Sequence, residues 1–319
     1  MSEGMSRRGF LGLAAAALGA YVPSASPRPA NYDERSTAQP RTRLILLGTA
    51  GGPTPKSQRA APAQAIVVGD RVYLVDCGDG VARQLAIAQV PIRGLRAVFI
   101  THQHSDHNAG YGPLFLLGWT AGLASPVDTY GPPPLVKMTR LLLEAYEFDI
   151  TLRMADEGRP ALAPLIRPHE IVEGGEVFKD DRVRVTAARN RHVPIEHSFA
   201  YRFDTGDRAI VISGDTAYSE EVLKLARGAD ILVHEALYRP FWERADAPQT
   251  ADVRRHIIAS HTDAEDVGRL AAAAGVKTLV LTHFVPSEPT GAVPDADWVA
   301  AVRKHFSGEV ILGRDLMEI

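Results

Sequence analysis

From Arg43 onward, short apolar, β-branched runs recur along the chain, each bounded by glycine or aspartate. This is how strands covered on both faces read. Residues 44–47, 65–68 and 72–75 predict three strands, with Gly69-Asp70 as the hairpin turn between the last two. A helical segment over 80–89 leads to a strand at 97–100, and Gly131-Pro-Pro-Pro134 opens a helix running to about Tyr146. Over 148–168 charges and prolines mix and periodicity fades, which predicts a lid or variable insertion. The second half repeats the idiom. Strands at 183–186, 199–203 and 209–212 precede a helix capped by Ser219. A strand at 231–233 follows, then a capping box, Thr262-x-x-Glu265, opening a helix to Ala274. A strand at 277–281, a helix at 295–306 and a last strand at 309–312 complete an α/β pattern of two comparable halves.

Composition narrows the function classes. The chain has 319 residues, 45% hydrophobic and 23% charged, as in ordinary soluble proteins. A formal charge of −3 gives no general attraction to phosphate backbones or anionic membranes, so a nucleic-acid partner is not expected. A single cysteine, Cys77, excludes an internal disulfide and a cysteine-rich metal cluster; any metal must use His, Asp or Glu. Near the N-terminus, Ser6-Arg7-Arg8-Gly9-Phe10-Leu11 precedes a small, weakly apolar run. It resembles a twin-arginine export signal over residues 1–26, followed by a Pro/Ser/Ala-rich linker at 27–42 and one domain at 43–319. Loss of residues 1–26 would remove Arg7, Arg8 and Glu3, taking the charge from −3 to −4. The expected location is the periplasm or the exterior, with no stable membrane association once the signal is gone and a homodimer as one possible assembly.

The chemistry concentrates in Thr101-His-Gln-His-Ser-Asp-His107, directly after the predicted strand at 97–100. Such strand-end loops are where α/β sheets place ligands. Residues two apart project to the same side of an extended segment, so His102 and His104 converge, while Asp106 and His107, past a bend, face elsewhere. Neutral imidazoles and carboxylates in that arrangement suit Zn²⁺ and related first-row ions.

His102-x-His104-x-Asp106-His107 resembles the signature of the metallo-β-lactamase fold superfamily. The resemblance spans residues 43–319 and implies a four-layer αββα sandwich. It also implies further ligands: His192 as the third histidine, with His197 as the competing candidate, Asp215 as a carboxylate shared by two ions, and His283 as the last histidine. One ion would take His102, His104 and His192, the other Asp106, His107 and His283. Two Zn²⁺ are expected, with Mn²⁺ or Fe²⁺ as alternatives, and a metal-bridging hydroxide as the nucleophile, with Asp106 counted among the catalytic groups. In the resembling enzymes a glutamate and a histidine form a proton relay; Glu235 and His261 match them as the groups that protonate the leaving group. Asp76 is a candidate carboxylate behind the ligands, and Cys77 a small buried residue.

Smaller motifs narrow the branch. Leu47-Gly-Thr-Ala-Gly-Gly-Pro53, Val75-Asp-Cys-Gly-Asp-Gly80, His234-Glu-Ala236, Ser260-His-Thr262 and Leu281-Thr-His-Phe284 are similar to the ribonuclease Z group and its small-molecule relatives, including one class of arylsulfatases. True β-lactamases usually carry Arg or Cys at the positions of His107 and Asp215, which argues against antibiotic hydrolysis. With the apparent export signal and acidic balance, the expectation is an exported hydrolase of small-molecule esters such as aryl sulfates or phosphodiesters. A ribonuclease Z-like tRNA 3′-end endonuclease and a lactonase are the alternatives within the fold, and a periplasmic metal-binding protein the alternative outside enzymes. Phe148, Tyr218, Tyr238, Trp242 and Phe284 are candidates for an apolar substrate pocket. His169, His256 and His305 read as ordinary surface residues.

Overall fold

Strand β1 (Thr42–Gly48) shows why the apolar runs are continuous: Leu44 and Leu46 face one core while Ile45 and Leu47 face another. A strand covered on both sides loses the alternation of a half-exposed one. The same division holds in β3 (Arg71–Val75), paired with β2 (Ala63–Val68) through the predicted hairpin. The structure is a computed structural model and describes residues 41–289 and 291–319. The twin-arginine stretch and most of the linker lie outside the described residues.

Helix α1 (Val81–Ile87) and strand β4 (Leu95–Phe99) follow. Next come α2 (Ser105–Asn108), α3 (Tyr111–Thr120), β5 (Val127–Gly131), α4 (Leu135–Ala145), α5 (Glu147–Asp156) and β6 (Ile166–Glu170). The second half holds β7 (Gly175–Lys179), β8 (Val183–Arg189), β9 (Phe199–Thr205), β10 (Ala209–Ile212), α6 (Glu220–Ala226) and β11 (Ile231–Leu237). It continues with α7 (Arg239–Trp242), α8 (Ala251–Ser260), α9 (Ala264–Ala274), β12 (Thr278–Val285), α10 (Asp295–Arg303), β13 (Glu309–Leu312) and β14 (Met317–Glu318). One sheet runs β14-β1-β2-β3-β4-β5-β6 and the other β13-β12-β11-β10-β9-β8-β7. Side chains of both sheets, among them Tyr73, Phe99, Tyr201 and Phe203, form the core between them. The outer face of the first sheet packs on α1 and α3, through Leu85, Leu114 and Phe115. That of the second packs on α6, α9 and α10, through Val222, Leu270 and Val302. The four-layer αββα sandwich is therefore present. Within each sheet the strands that feed the site, β3-β4-β5 and β10-β11-β12, are parallel, so their C-terminal ends point the same way.

The structure corrects two local expectations. Residues 148–168 are no irregular lid. They hold α5, supported by Arg153 ion pairs to Asp149 and Glu157, a short 3₁₀ turn at Ala163–Leu165, and β6. Its apolar positions fall on one face, but the helix fully buries none of its residues and packs on the core only through partly buried Ile150. The Thr262–Glu265 capping box also fails. Asp263 occupies the cap position, the Thr262 hydroxyl donates to the Thr216 carbonyl, and Glu265 pairs with Arg269 and Lys304. Ser219 does cap α6, accepting from the Val222 amide at 3.3 Å.

Candidate metal centre

At the C-terminal end of β4 the chain leaves the sheet extended through Thr101, His102 and Gln103, then turns into the single-turn helix α2, which carries Asp106 and His107. His102 and His104 converge as the two-residue spacing requires, His102 Nε2 lying 3.0 Å from His104 Nδ1. From the β8–β9 connection His192 brings its Nε2 to 3.2 Å from the same His104 nitrogen. Asp215, just past β10, has Oδ2 4.0 Å from both His102 Nε2 and His192 Nε2. On its other side, Asp215 Oδ1 is 3.3 Å from His107 Nε2 and Oδ2 is 3.1 Å from His283 Nε2. Asp106 Oδ2 completes that half, 3.6 Å from His107 Nε2 and 3.5 Å from His283 Nε2.

His283 reaches the site through an irregularity. The register of β11 against β12 shifts so that Glu235 faces Thr282 and Ala236 faces Phe284, leaving His283 as the extra residue of a bulge. Its φ of 42° is left-handed, a conformation that a non-glycine residue adopts at a cost of order 1–3 kcal/mol and that re-aims its ring. Asp76 is likewise left-handed at φ 59°, and its carboxylate accepts the Thr101 amide and hydroxyl. That carboxylate also lies 2.7 Å from His107 Nδ1, which keeps a proton there and, in the neutral ring that a metal requires, leaves Nε2 as a lone pair facing the cluster. The Thr101 hydroxyl faces His102 Nδ1 at 3.0 Å, and the Ser260 carbonyl faces His192 Nδ1 at 3.1 Å, with the same effect.

Two four-residue groups result, His102–His104–His192–Asp215 and Asp106–His107–Asp215–His283, each with its donor atoms within 4.8 Å of one another. His107 Nε2, Asp215 Oδ1 and His283 Nε2 are buried without a hydrogen-bond partner among the described residues, the condition of atoms placed for a cation. The spacings agree: bonds of ~2.0–2.1 Å at a tetrahedral angle put ligand atoms about 3.3 Å apart. The electrostatics agree as well. Burial opposes charge on His107 and His283, yet the Asp215 carboxylate, with Asp76 and Asp106 beside His107 and Asp106 beside His283, outweighs it. His107 is held well above its ordinary value and His283 raised to about 10. Burial works against Asp106 too, but His107 and His283 bring it to about 2. In the other group burial dominates, keeping His102 and His104 neutral and lowering His192 to about 4.

Beside this cluster, Glu235 Oε1 accepts the Thr216 and Thr262 amides and faces His261 Nδ1 at 3.2 Å. The His261 ring stacks on His283 at 5.6 Å and lies 5.4 Å from His192, so it borders both groups. Burial opposes its protonation, and Glu235 reverses the sign, raising it.

The other expectations divide. Between the two competing histidines, His192 joins the cluster, while His197 Nδ1 accepts from Arg189 at 3.1 Å outside it. His169 pairs with Asp128 and His305 with Glu265, away from the site. His256 is exposed, as expected, yet borders the site: its ring lies 6.5 Å from that of His192 and its Nδ1 3.3 Å from the Ser260 hydroxyl. The five aromatics form no pocket. Phe148 is 83% exposed on α5, Tyr238 and Phe284 pack on Trp298, Trp242 packs with Leu237 and Val285, and Tyr218 lies against the second sheet's outer core. Thr101 and Ser260, which orient ligand rings through single hydrogen bonds, escaped notice because one hydroxyl or carbonyl leaves no spacing signature.

The family described as Beta-lactamase superfamily domain matches residues 71–284. A ribonuclease Z of Mycobacterium sp. (strain KMS) is 34% identical over 278 residues, covering 86% of this chain and 95% of the relative. That of Mycobacterium bovis (strain BCG / Pasteur 1173P2) is 32% identical over 279 residues, covering 86% and 97%. Among solved structures, the metallo-beta-lactamase fold protein YhfI from Bacillus subtilis superposes with a TM-score of 0.64 at 23% identity, covering 87% of this chain and 98% of that one. The short form of human tRNase Z gives a TM-score of 0.62 at 24% identity, covering 87% and 98%; at these identities both show the shared fold. The relatives overturn the expectation of a small-molecule ester substrate with no nucleic-acid partner, since proteins matching nearly end to end are ribonucleases. That expectation leaned on the apparent export signal, which lies outside the described residues, and on net charge, which describes long-range attraction of the whole surface, whereas strand cleavage rests on local contacts at the site. The chain is a metal-dependent hydrolase of ester bonds and belongs to the metallo-β-lactamase superfamily, on the branch that holds these ribonucleases Z.

Proposed function

We propose that the protein is an RNA phosphodiesterase of the ribonuclease Z type, with a tRNA precursor as the first substrate to try. The observation that carries this reading is the joint one of near end-to-end likeness to ribonucleases Z and a complete constellation of seven candidate ligands beside a Glu235–His261 pair. His102, His104, His192 and Asp215 would hold one divalent ion and Asp106, His107, His283 and Asp215 a second, with zinc the favoured metal for this donor set. When bound, such ions supply Lewis acidity toward the phosphoryl oxygens and activate a water.

The chain's own residues supply the rest. Asp76, Thr101 and the Ser260 carbonyl hold the ligand rings in one tautomer, so the site is set before substrate arrives. Glu235, fixed by two backbone amides, orients His261 and favours its protonated form. His261 then delivers its proton to the ribose oxygen that leaves as the P–O bond breaks, and Glu235 stabilises the charge before delivery. Zinc- or manganese-loaded protein incubated with a 3′-extended tRNA precursor should give discrete cleavage that EDTA abolishes. Intact RNA under conditions where the same sample hydrolyses bis(p-nitrophenyl) phosphate would exclude RNA as the substrate.

A further inference from the structure

Three strands break their apolar pattern at the same end of the core between the sheets. On the face of β2 that meets the second sheet, Val68 and Ile66 are core residues, and the next position on that face is the buried Gln64. Across from it, Val233 of β11 and Val280 of β12 enter the same core, and the next positions on their faces are the buried Glu235 and Thr282. Glu235 and Thr282 are register partners in the parallel pair, so their side chains are neighbours. Both sheets therefore place polar side chains where the apolar core gives way to the metal-ligand groups.

These three residues line a cavity of about 10 Å³, together with Asp215, His107 and His283. His102, His104 and Asp106 do not line it, so it lies behind the ligands, on the core side of the centre. Its volume is that of a single water. Two of its lining groups, Glu235 Oε2 and Thr282 Oγ1, are buried without a hydrogen-bond partner among the described residues. The two oxygens of Glu235 thus differ. Oε1 accepts the Thr216 and Thr262 amides and faces His261, whereas Oε2, equally buried, has no protein donor. An unmet carboxylate oxygen in a closed core is costly, and a water meets the need here: it can donate to Oε2 while accepting from the Thr282 hydroxyl and the Gln64 amide.

We propose that this cavity holds one ordered water, bound by Glu235 Oε2, Thr282 Oγ1 and Gln64, and that Thr282 and Gln64 through it position the carboxylate that orients His261. The inference rests on the relay assigned above to Glu235 and His261, and extends it to the groups behind it. With the water bound, Glu235 is fixed at both oxygens, Oε1 from the backbone and Oε2 from the core, so the carboxylate cannot turn away from the imidazole. Thr282 and Gln64 are positioning residues, since they act only through Glu235.

The test compares zinc-loaded wild type with Thr282→Val, Thr282→Ser and Gln64→Leu, on RNA and on bis(p-nitrophenyl) phosphate. Valine and leucine keep the side-chain volume and remove the polar group, and serine keeps the hydroxyl. Thr282→Val and Gln64→Leu should each lower kcat on RNA roughly tenfold, as loss of a supporting partner does, with KM and zinc content unchanged. The nitrophenyl ester, whose leaving group needs no proton, should suffer much less. Thr282→Ser should recover the wild-type rate, and the Val/Leu double variant should lose no more than either single one, because both remove the same water. A crystal structure of the wild type should show that water about 2.8 Å from Glu235 Oε2, and one of Thr282→Val should lack it. Full kcat in Thr282→Val, multiplying losses in the double variant or an empty cavity in the wild type would overturn the assignment. Loss of zinc would overturn it too, by showing that the cavity serves Asp215 and His283 instead. If His261→Ala slows RNA and the nitrophenyl ester equally, the relay itself fails, and the role of Thr282 and Gln64 with it.

Discussion

One carboxylate oxygen, Glu235 Oε1, receives two backbone amides and faces the His261 ring, and it does so at the border of both metal-ligand groups. Neither residue belongs to the two groups that enclose Asp215, but with His283 they form a third set of possible ligand atoms within 4.8 Å of one another, so metal content and rate are read together. His261→Ala is expected to keep its metal content by elemental analysis yet to lower kcat by roughly 10²- to 10⁴-fold, as loss of a general acid does. The loss should depend on the leaving group. A ribose oxygen departs poorly without a proton, whereas nitrophenolate departs as an anion, so bis(p-nitrophenyl) phosphate should suffer much less than RNA. Glu235→Gln should follow the same pattern more weakly, because it orients the imidazole without delivering the proton. Equal losses on both substrates would mean that His261 shapes the site instead of protonating a leaving group, and a lost metal would make it a ligand. Residues of this kind were legible from the apolar runs they follow, His102 after β4, Asp215 after β10 and His283 after the run 278–281 within β12, whereas His261, between α8 and α9, was legible through the family resemblance. His256 was not, since only the fold of α8 brings it beside His192.

At the scale of elements, β4 carries the histidine run, and its last residue, Phe99, joins the two sheets. The Phe99 ring lies 5.4 Å from Tyr201 and 5.3 Å from Phe203 on β9, and is stacked at 5.4 Å on Tyr130 of β5. Three residues later comes His102, so packing between the sheets sets the angle at which the run leaves them. Phe99→Ala should lower unfolding free energy by about 3–5 kcal/mol in chemical denaturation, the usual result of emptying an aromatic site in a closed core. A change below about 1 kcal/mol would mean that the sheets are not held by this cluster. The strands were readable because both faces are buried and the apolar runs continuous. The elements that escaped have identifiable reasons. In α3 the sequence Tyr111-Gly-Pro113 looks like a break, yet a proline in the first turn replaces an amide that has no partner within the helix. In α5 the apolar positions share a face, but none is fully buried and only Ile150 packs against the core, so the short segment did not stand out among its charges. The bulge that turns His283 inward is a register shift between two strands, and a single strand's sequence does not display its partner's register.

Across the whole molecule, one consequence of the site is a stability that reverses its pH dependence with metal. The buried carboxylates Asp215, Asp76 and Asp106 need positive charge, and without a cation they obtain it by holding protons on His107 and His283. His283 is raised to about 10 from an ordinary 6.5, and His107 moves in the same direction. A group whose pKa rises on folding stabilises the fold fully below its unfolded value and loses that contribution as pH climbs through its folded value. Metal-free protein should therefore lose stability steadily between about pH 6.5 and 10, as two rings give up protons beside carboxylates that burial keeps from water. Metal binding requires those same rings in the neutral form, so affinity rises with pH as proton competition fades. Urea midpoints measured in EDTA should fall across this range, while midpoints in excess zinc should hold or rise until the metal hydrolyses. A flat profile in EDTA would show that His107 and His283 are uncharged in the metal-free fold. The carboxylates would then have to be neutralised some other way, and the argument that their unmet charge prepares the site for two ions would fail with it.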